Sequence, residues 1–142
     1  MARATRDNLG FLLAKAVQRW NELLAERFAA AGYPEVRPSY GSLLVPLFEQ
    51  DGLRMSELAA RARLSKQTMT TMVRLLERED LVRRRPDPAD GRATLVELTP
   101  KARAFQTVAE QTLGELDRLV RRSLSPSDLR RLKTALKGVI AL

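Results

Sequence analysis

The sequence predicts a mainly α-helical chain carrying one small β-wing, and three observations predict it. Apolar residues recur at three- and four-residue spacing through most of the 142 residues. Between Met55 and Glu79, two such helical stretches are separated only by Arg63-Leu64-Ser65, a tight turn. Directly afterwards the pattern becomes two short strand-like runs split by Pro86-Asp87-Pro88-Ala89-Asp90-Gly91, strong turn punctuation and hence a hairpin. Helix, turn, helix and basic hairpin, in that order, is a winged helix-turn-helix. It presents one helix to a DNA major groove and a hairpin to the flanking backbone or minor groove. The fold class is therefore a winged helix-turn-helix domain (37–99) flanked by an N-terminal dimerisation helix (1–36) and C-terminal dimerisation helices (100–142).

The first helix is expected from Asp7 to about Ala31. Leu9, Leu12, Leu13, Ala16, Val17, Trp20, Leu23, Leu24 and Phe28 make a broad apolar face, and Gly32-Tyr33-Pro34 stops it. A helix from about Pro38 to Phe48 joins this segment to the winged domain. In the next helix Ser56 is the expected N-cap and Glu57 suits the first turn. Leu58, Ala59, Ala62 and Leu64 give it a small apolar face that permits close packing.

The helix from Lys66 to about Glu79 shows the sharpest sorting. Met69, Met72, Val73 and Leu76 share one side. The other carries Lys66, Gln67, Thr68, Thr70, Thr71, Arg74 and Arg78, with no acid before Glu77. Ser65 can cap it, leaving a helix N-terminus that favours a phosphate. Alone, this face reads equally as the solvated side of an amphipathic helix; the preceding helix and following wing turn the reading towards nucleic acid.

The hairpin runs from apolar Leu81-Val82 into basic Arg83-Arg84-Arg85. It returns through Ala93–Leu98 with period-two alternation, Leu95 reading as exposed or edge-facing. Asp90 is an acid in a very basic loop. Its expected work is to orient Arg92, or an arginine of the preceding helix, so that Arg92 reaches into a minor groove. The bland alternative is a plain turn and a solvated charge. Beyond it, Thr99 caps and Pro100 opens a helix to about Ser123, with Phe105, Val108, Ala109, Thr112, Leu113, Leu116, Leu119 and Val120 on one face. Ser125 and Asp128 stand in capping-box spacing before a last helix bearing Leu129, Leu132, Leu136, Val139 and Ile140. Burial of these flanking faces against a second copy is the economical solution; folding back on the winged domain is the other.

Composition bounds the function. Residues 1–53 are charge-balanced, 54–103 carry +5 and 104–142 carry +3 of the net +8, so the excess lies where DNA steering needs it. The chain has no cysteine and no histidine. Disulfides, thiolate sensing and cysteine-based zinc sites are excluded, and the commonest metal ligand and general base are missing. Neither a metal, a cofactor nor an enzymatic activity is expected. No leader-like apolar segment or membrane-length stretch is visible, so a cytoplasmic, nucleoid-associated protein is expected.

Leu64-Ser65, the Met69–Leu76 pattern, Leu81-Val82, Arg84, Asp90-Gly91-Arg92 and Val96-x-Leu98-Thr99 resemble the MarR family of bacterial transcription regulators. The resemblance covers nearly the whole chain, and Asp-Gly-Arg followed by a strand and Leu-Thr is its most specific part. It implies a homodimeric, sequence-specific regulator of the repressor type that binds a pseudo-palindromic operator and responds to a small, often phenolic or aromatic effector. It also implies DNA contacts from Ser65, Lys66, Gln67, Thr68, Thr70, Thr71 and Arg74, and from Arg84, Asp90 and Arg92 of the wing. Asp80 stands where the family commonly has glycine, Ala102 replaces a glycine common just after Leu-Thr, and Thr71 lies where arginine is frequent. Trp20, Phe28, Tyr40, Leu44 and Phe48 could line an effector cavity at the domain junction, with Arg37 available to an anion; aromatic residues at helical spacing are more often plain core. The rival function is a non-specific architectural DNA binder. Gln67, Thr70 and Thr71 argue against it, because such side chains suit base edges better than phosphate steering.

Overall fold

The computed structural model describes residues 1–142. Its elements are α1 (Leu9–Ala30), a 3₁₀ turn (Pro38–Tyr40), α2 (Gly41–Glu49), β1 (Leu53–Arg54), α3 (Met55–Ala62), α4 (Lys66–Arg78), β2 (Val82–Asp87), β3 (Asp90–Leu98), α5 (Pro100–Arg121) and α6 (Pro126–Ile140). The architecture is mainly α with a three-stranded antiparallel sheet in the order β1-β3-β2, a winged helix-turn-helix set among longer helices.

Local chemistry sets the boundaries. Asn8 caps α1 through Gly10 N–H, at 2.9 Å. Past its end, Gly32 takes φ +95° while Tyr33 N–H returns to Phe28 C=O at 2.8 Å, the glycine-dependent stop expected of this sequence. Ser125 Oγ accepts Asp128 N–H at 3.1 Å and so starts α6. The start of α3 differs from the expectation: Arg54, not Ser56, is the N-cap residue. An arginine side chain has no acceptor, so the cap runs backwards, with Glu57 Oε1 accepting Arg54 N–H at 3.1 Å.

Two residues of β1 were absent from the sequence reading. They pair Leu53 with Val96 and Arg54 with Leu95, which makes β3 the central strand. Leu95 is consequently half-buried between Arg54 and Arg85 rather than on an edge.

One continuous cluster of buried apolar side chains runs from Leu24 and Phe28 of α1 through α2, α3, α4 and the sheet to Phe105, Ala109 and Leu116 of α5. Each fully buried aliphatic or aromatic side chain stabilises the fold by about 1.5–3 kcal/mol. Phe28 meets Phe105 edge-on, with centroids 4.8 Å apart, and Tyr33 approaches the same ring at 5.2 Å. The flanking helices therefore join the winged unit over only part of their length. The first half of α1 keeps Leu9, Leu12 and Val17 about half exposed, and α6 buries only Leu129.

Candidate nucleic-acid interface

The apolar side of α4 is fixed first. Met69, Val73 and Leu76 are each 1% exposed or less, so the opposite side has one orientation available, towards solvent. Ser65 caps the helix by accepting Thr68 N–H at 3.2 Å while its hydroxyl donates to Thr68 Oγ1 at 2.9 Å. The turn before it is closed by Arg63 at φ +54°, a left-handed arginine that no propensity rule anticipates.

Lys66, Gln67, Thr68, Thr71 and Arg74 are exposed along this side, and Thr70 is half-buried. Thr70 Oγ1 donates to Lys66 C=O at 3.0 Å and Thr71 Oγ1 to Gln67 C=O at 3.2 Å. Both hydroxyls thus keep their lone pairs outward, with their protons parked on the helix until a better acceptor arrives.

The wing is built differently from the expectation at its tip. The chain reverses at Pro88-Ala89, and Asp87 faces Asp90 across it; Asp90-Gly91 already belongs to β3. Asp90 does not hold an arginine side chain. Its Oδ1 accepts the backbone N–H of Arg92 at 3.0 Å, which shapes the turn and leaves the Arg92 guanidinium unpaired and exposed. The acid that does bind an arginine is Asp87: Arg54 Nε donates to its Oδ2 at 2.8 Å. Arg84 is exposed but engaged, its Nε 2.9 Å from Glu77 Oε1 of α4, and Arg85 is paired with Glu97. Lys66, Thr70, Arg84 and Arg92 all line one groove between α4 and the wing, together with Arg54 and Ser56.

Comparison with known proteins gives this geometry a lineage. The MarR family model matches residues 38–94, which spans α2 to the tip of the wing. Over that stretch, 57 of 142 residues, the chain is similar to the MarR family.

Solved structures extend the likeness over the full length. A probable transcriptional regulator from Pseudomonas aeruginosa is 28% identical, with a TM-score of 0.80 over 94% of this chain and 97% of its own. PcaV, a transcriptional regulator from Streptomyces coelicolor solved with its natural ligand, is 20% identical, with a TM-score of 0.81 over 99% and 98%. BpsR of Bordetella bronchiseptica, whose DNA binding is regulated by 6-hydroxynicotinic acid, is 19% identical, with a TM-score of 0.81 over 100% and 99%. Among curated proteins, none matches this sequence. The likeness is thus to MarR-type transcriptional regulators, with which the chain shares the winged-helix fold. No helix is long and apolar enough to cross a membrane.

A second feature of the chain is a largely apolar cavity of about 90 Å³ at the junction of α1, α2 and α5. Phe28, Leu44 and Phe48 line it, as the sequence reading expected. Trp20 and Tyr40 do not: Tyr40 is 5% exposed within the main core and Trp20 packs, partly buried, against that core. Their places are taken by Leu24, Val36, Pro38, Phe105, Ala109 and Leu113, while Arg37 and Glu110 are the charged residues in the wall. The α5 contributions are not legible in the sequence because they stand more than 50 positions away from the rest in the chain.

Proposed function

We propose that the protein binds a pseudo-palindromic operator as a homodimer, represses transcription by occupying it, and is released by a small anionic aromatic effector. The observation that carries this reading is the face of α4. Lys66, Gln67, Thr71 and Arg74 stand outward on a helix whose other side is locked into the core, with the unpaired Arg92 across the groove. Amide and hydroxyl groups discriminate base edges, whereas a merely electrostatic binder needs only the cations. Ser65, Thr68 and Thr70 at the start of the helix suit the phosphate or edge contacts made by a recognition-helix N-terminus, and Arg84 and Asp90 frame the wing. Covering a promoter requires no further surface, which favours repression, and work on chromosomal DNA puts the protein in the cytoplasm.

Dimerisation is supported by the exposed apolar residues of α1 and α6. Two copies would set the recognition helices one helical turn of DNA, roughly 34 Å, apart. The effector reading rests on the cavity lined by Phe28, Leu44 and Phe48, with Arg37 in its wall; a ligand preferring one helix spacing would shift DNA affinity.

Selection of bound duplexes from a randomised pool at about 0.15 M salt tests the reading. An enriched inverted repeat with half-site centres about 10 base pairs apart supports it. No enrichment, with binding that only collapses as salt rises, supports the architectural alternative. Release of the enriched duplex by 6-hydroxynicotinate or benzoate, abolished by Arg37→Ala, would support the effector site.

A further inference from the structure

The wing ladder leaves its own tip unfixed. From Val82 to Pro86 each residue of β2 has one partner on β3, running from Leu98 to Thr94. The next residue, Asp87, is opposite Asp90. Gly91, Arg92 and Ala93 therefore have no counterpart on β2, and the register is lost just where Arg92 sits. Irregularities of this kind bend a hairpin and re-aim the side chains they carry.

Asp87 occupies that bend. It is 8% exposed, although Arg85, Pro86, Pro88, Ala89 and Asp90 around it are all exposed. Its two oxygens are used separately: Oδ1 accepts Ala89 N–H at 2.9 Å and closes the turn, and Oδ2 accepts Arg54 Nε at 2.8 Å. Arg54 is in turn anchored, as the last residue of β1 and the start of α3, by Glu57. One ion pair thus ties the part of the wing that the strand ladder does not hold to the start of the helix-turn-helix.

We propose that Arg54 and Asp87 are positioning residues for DNA binding: they latch the bent wing tip so that Arg92 faces the groove beside α4. Neither needs to touch DNA. The proposal rests on the reading that Arg92 meets DNA.

The sign of one substitution separates this role from simple charge. Asp87→Asn keeps an acceptor for Ala89 N–H but removes a negative charge and frees Arg54. On electrostatics alone it would tighten DNA binding. If the latch positions Arg92, it weakens binding instead.

The experiment measures affinity across a salt series for wild type, Asp87→Asn, Asp87→Glu, Arg92→Ala and the Asp87→Asn/Arg92→Ala double variant. The probes are the duplex enriched from a random pool and an unrelated 30-base-pair duplex. Expected are a loss of about tenfold and a salt slope reduced by about one phosphate in Asp87→Asn, partial rescue by Asp87→Glu, and no further loss when Arg92 is already alanine. Equal or tighter binding by Asp87→Asn overturns the latch, as does an undiminished loss in the Arg92→Ala background. If Arg92→Ala alone binds both duplexes like wild type, the wing contact itself is wrong and the latch falls with it. Glu is the control for folding: a carboxylate that restores the melt of the protein but not its salt slope also counts against the proposal.

Discussion

Lys101 Nζ lies 3.0 Å from Glu35 Oε1 and also donates to the carbonyl of Glu79, at 2.8 Å. One ammonium therefore joins the segment leading into the cavity wall, the first turn of α5 and the end of α4, the proposed recognition helix. The Glu35 carboxyl is held below the ordinary glutamate range, first by a backbone hydrogen bond and then by Lys101. A group whose native pKa is lowered contributes stability that is fully present above the unfolded value of about 4.3 and is lost as pH falls through the native value. Both side chains are about 30% exposed, so the pair is worth at most about 1 kcal/mol. Glu35→Gln is expected to lower the melting temperature at pH 7 by about 2–4 °C, with the gap from wild type closing below pH 4. Thermal melts at pH 7 and pH 3.5 check this; a gap that persists undiminished in acid would show that the charge is not its source.

Arg63 adopts φ +54° at the turn between α3 and α4. An L-residue there costs roughly 1–2 kcal/mol, part of which glycine gives back through its floppier unfolded chain. Arg63→Gly should therefore stabilise the fold by about 0.5–1 kcal/mol in urea unfolding. Asp80→Gly, at φ +57°, should gain less, because aspartate tolerates the left-handed region better than arginine. A loss of stability in Arg63→Gly would mean that its side chain makes up for the backbone cost.

Thr99 is 2% exposed and works in two directions. Its hydroxyl oxygen accepts Ala102 N–H at 3.1 Å, capping α5, while its proton goes to the carbonyl of the left-handed Asp80. Thr99→Val preserves shape and strands both partners, so a loss of about 1–3 kcal/mol is expected. Urea unfolding measures it, and a change within 0.5 kcal/mol, the scatter of an ordinary surface substitution, would show that the two partners find replacements.

What the sequence made legible follows from how local each cause is. The helix-turn-helix could be read because Ser65, the Met69–Leu76 face and the Pro-rich hairpin tip are short-range signals. Asp90 does meet Arg92, but through the Arg92 backbone, and sequence alone does not say which part of an arginine an acid will meet. The role of Asp87 is not legible for a different reason: its partner Arg54 is 33 positions away. β1 is only two residues long and has no period to detect. The cavity was half legible: Phe28, Leu44 and Phe48 share it, but the contribution of α5 depends on tertiary packing.

The apolar ends of α1 and α6 give the last prediction. Leu9 is 61% exposed, Leu12 48%, Leu132 44% and Ile140 56%, while the core cluster is complete without them. Single apolar residues on a surface are ordinary, but a row on each of two helices is what the proposed dimer would cover. Aspartate at such positions costs the free chain little and a dimer interface much, because an unpaired buried charge is expensive. Leu132→Asp and Ile140→Asp together are expected to leave helix content unchanged while sedimentation falls from twice the 16.0 kDa chain mass to once. DNA affinity should fall with it, and the salt slope should roughly halve as one set of phosphate contacts is lost. A wild-type protein that sediments as a single chain, or a double variant that stays paired, would place these side chains outside any dimer interface and remove the basis for a two-helix reading of DNA.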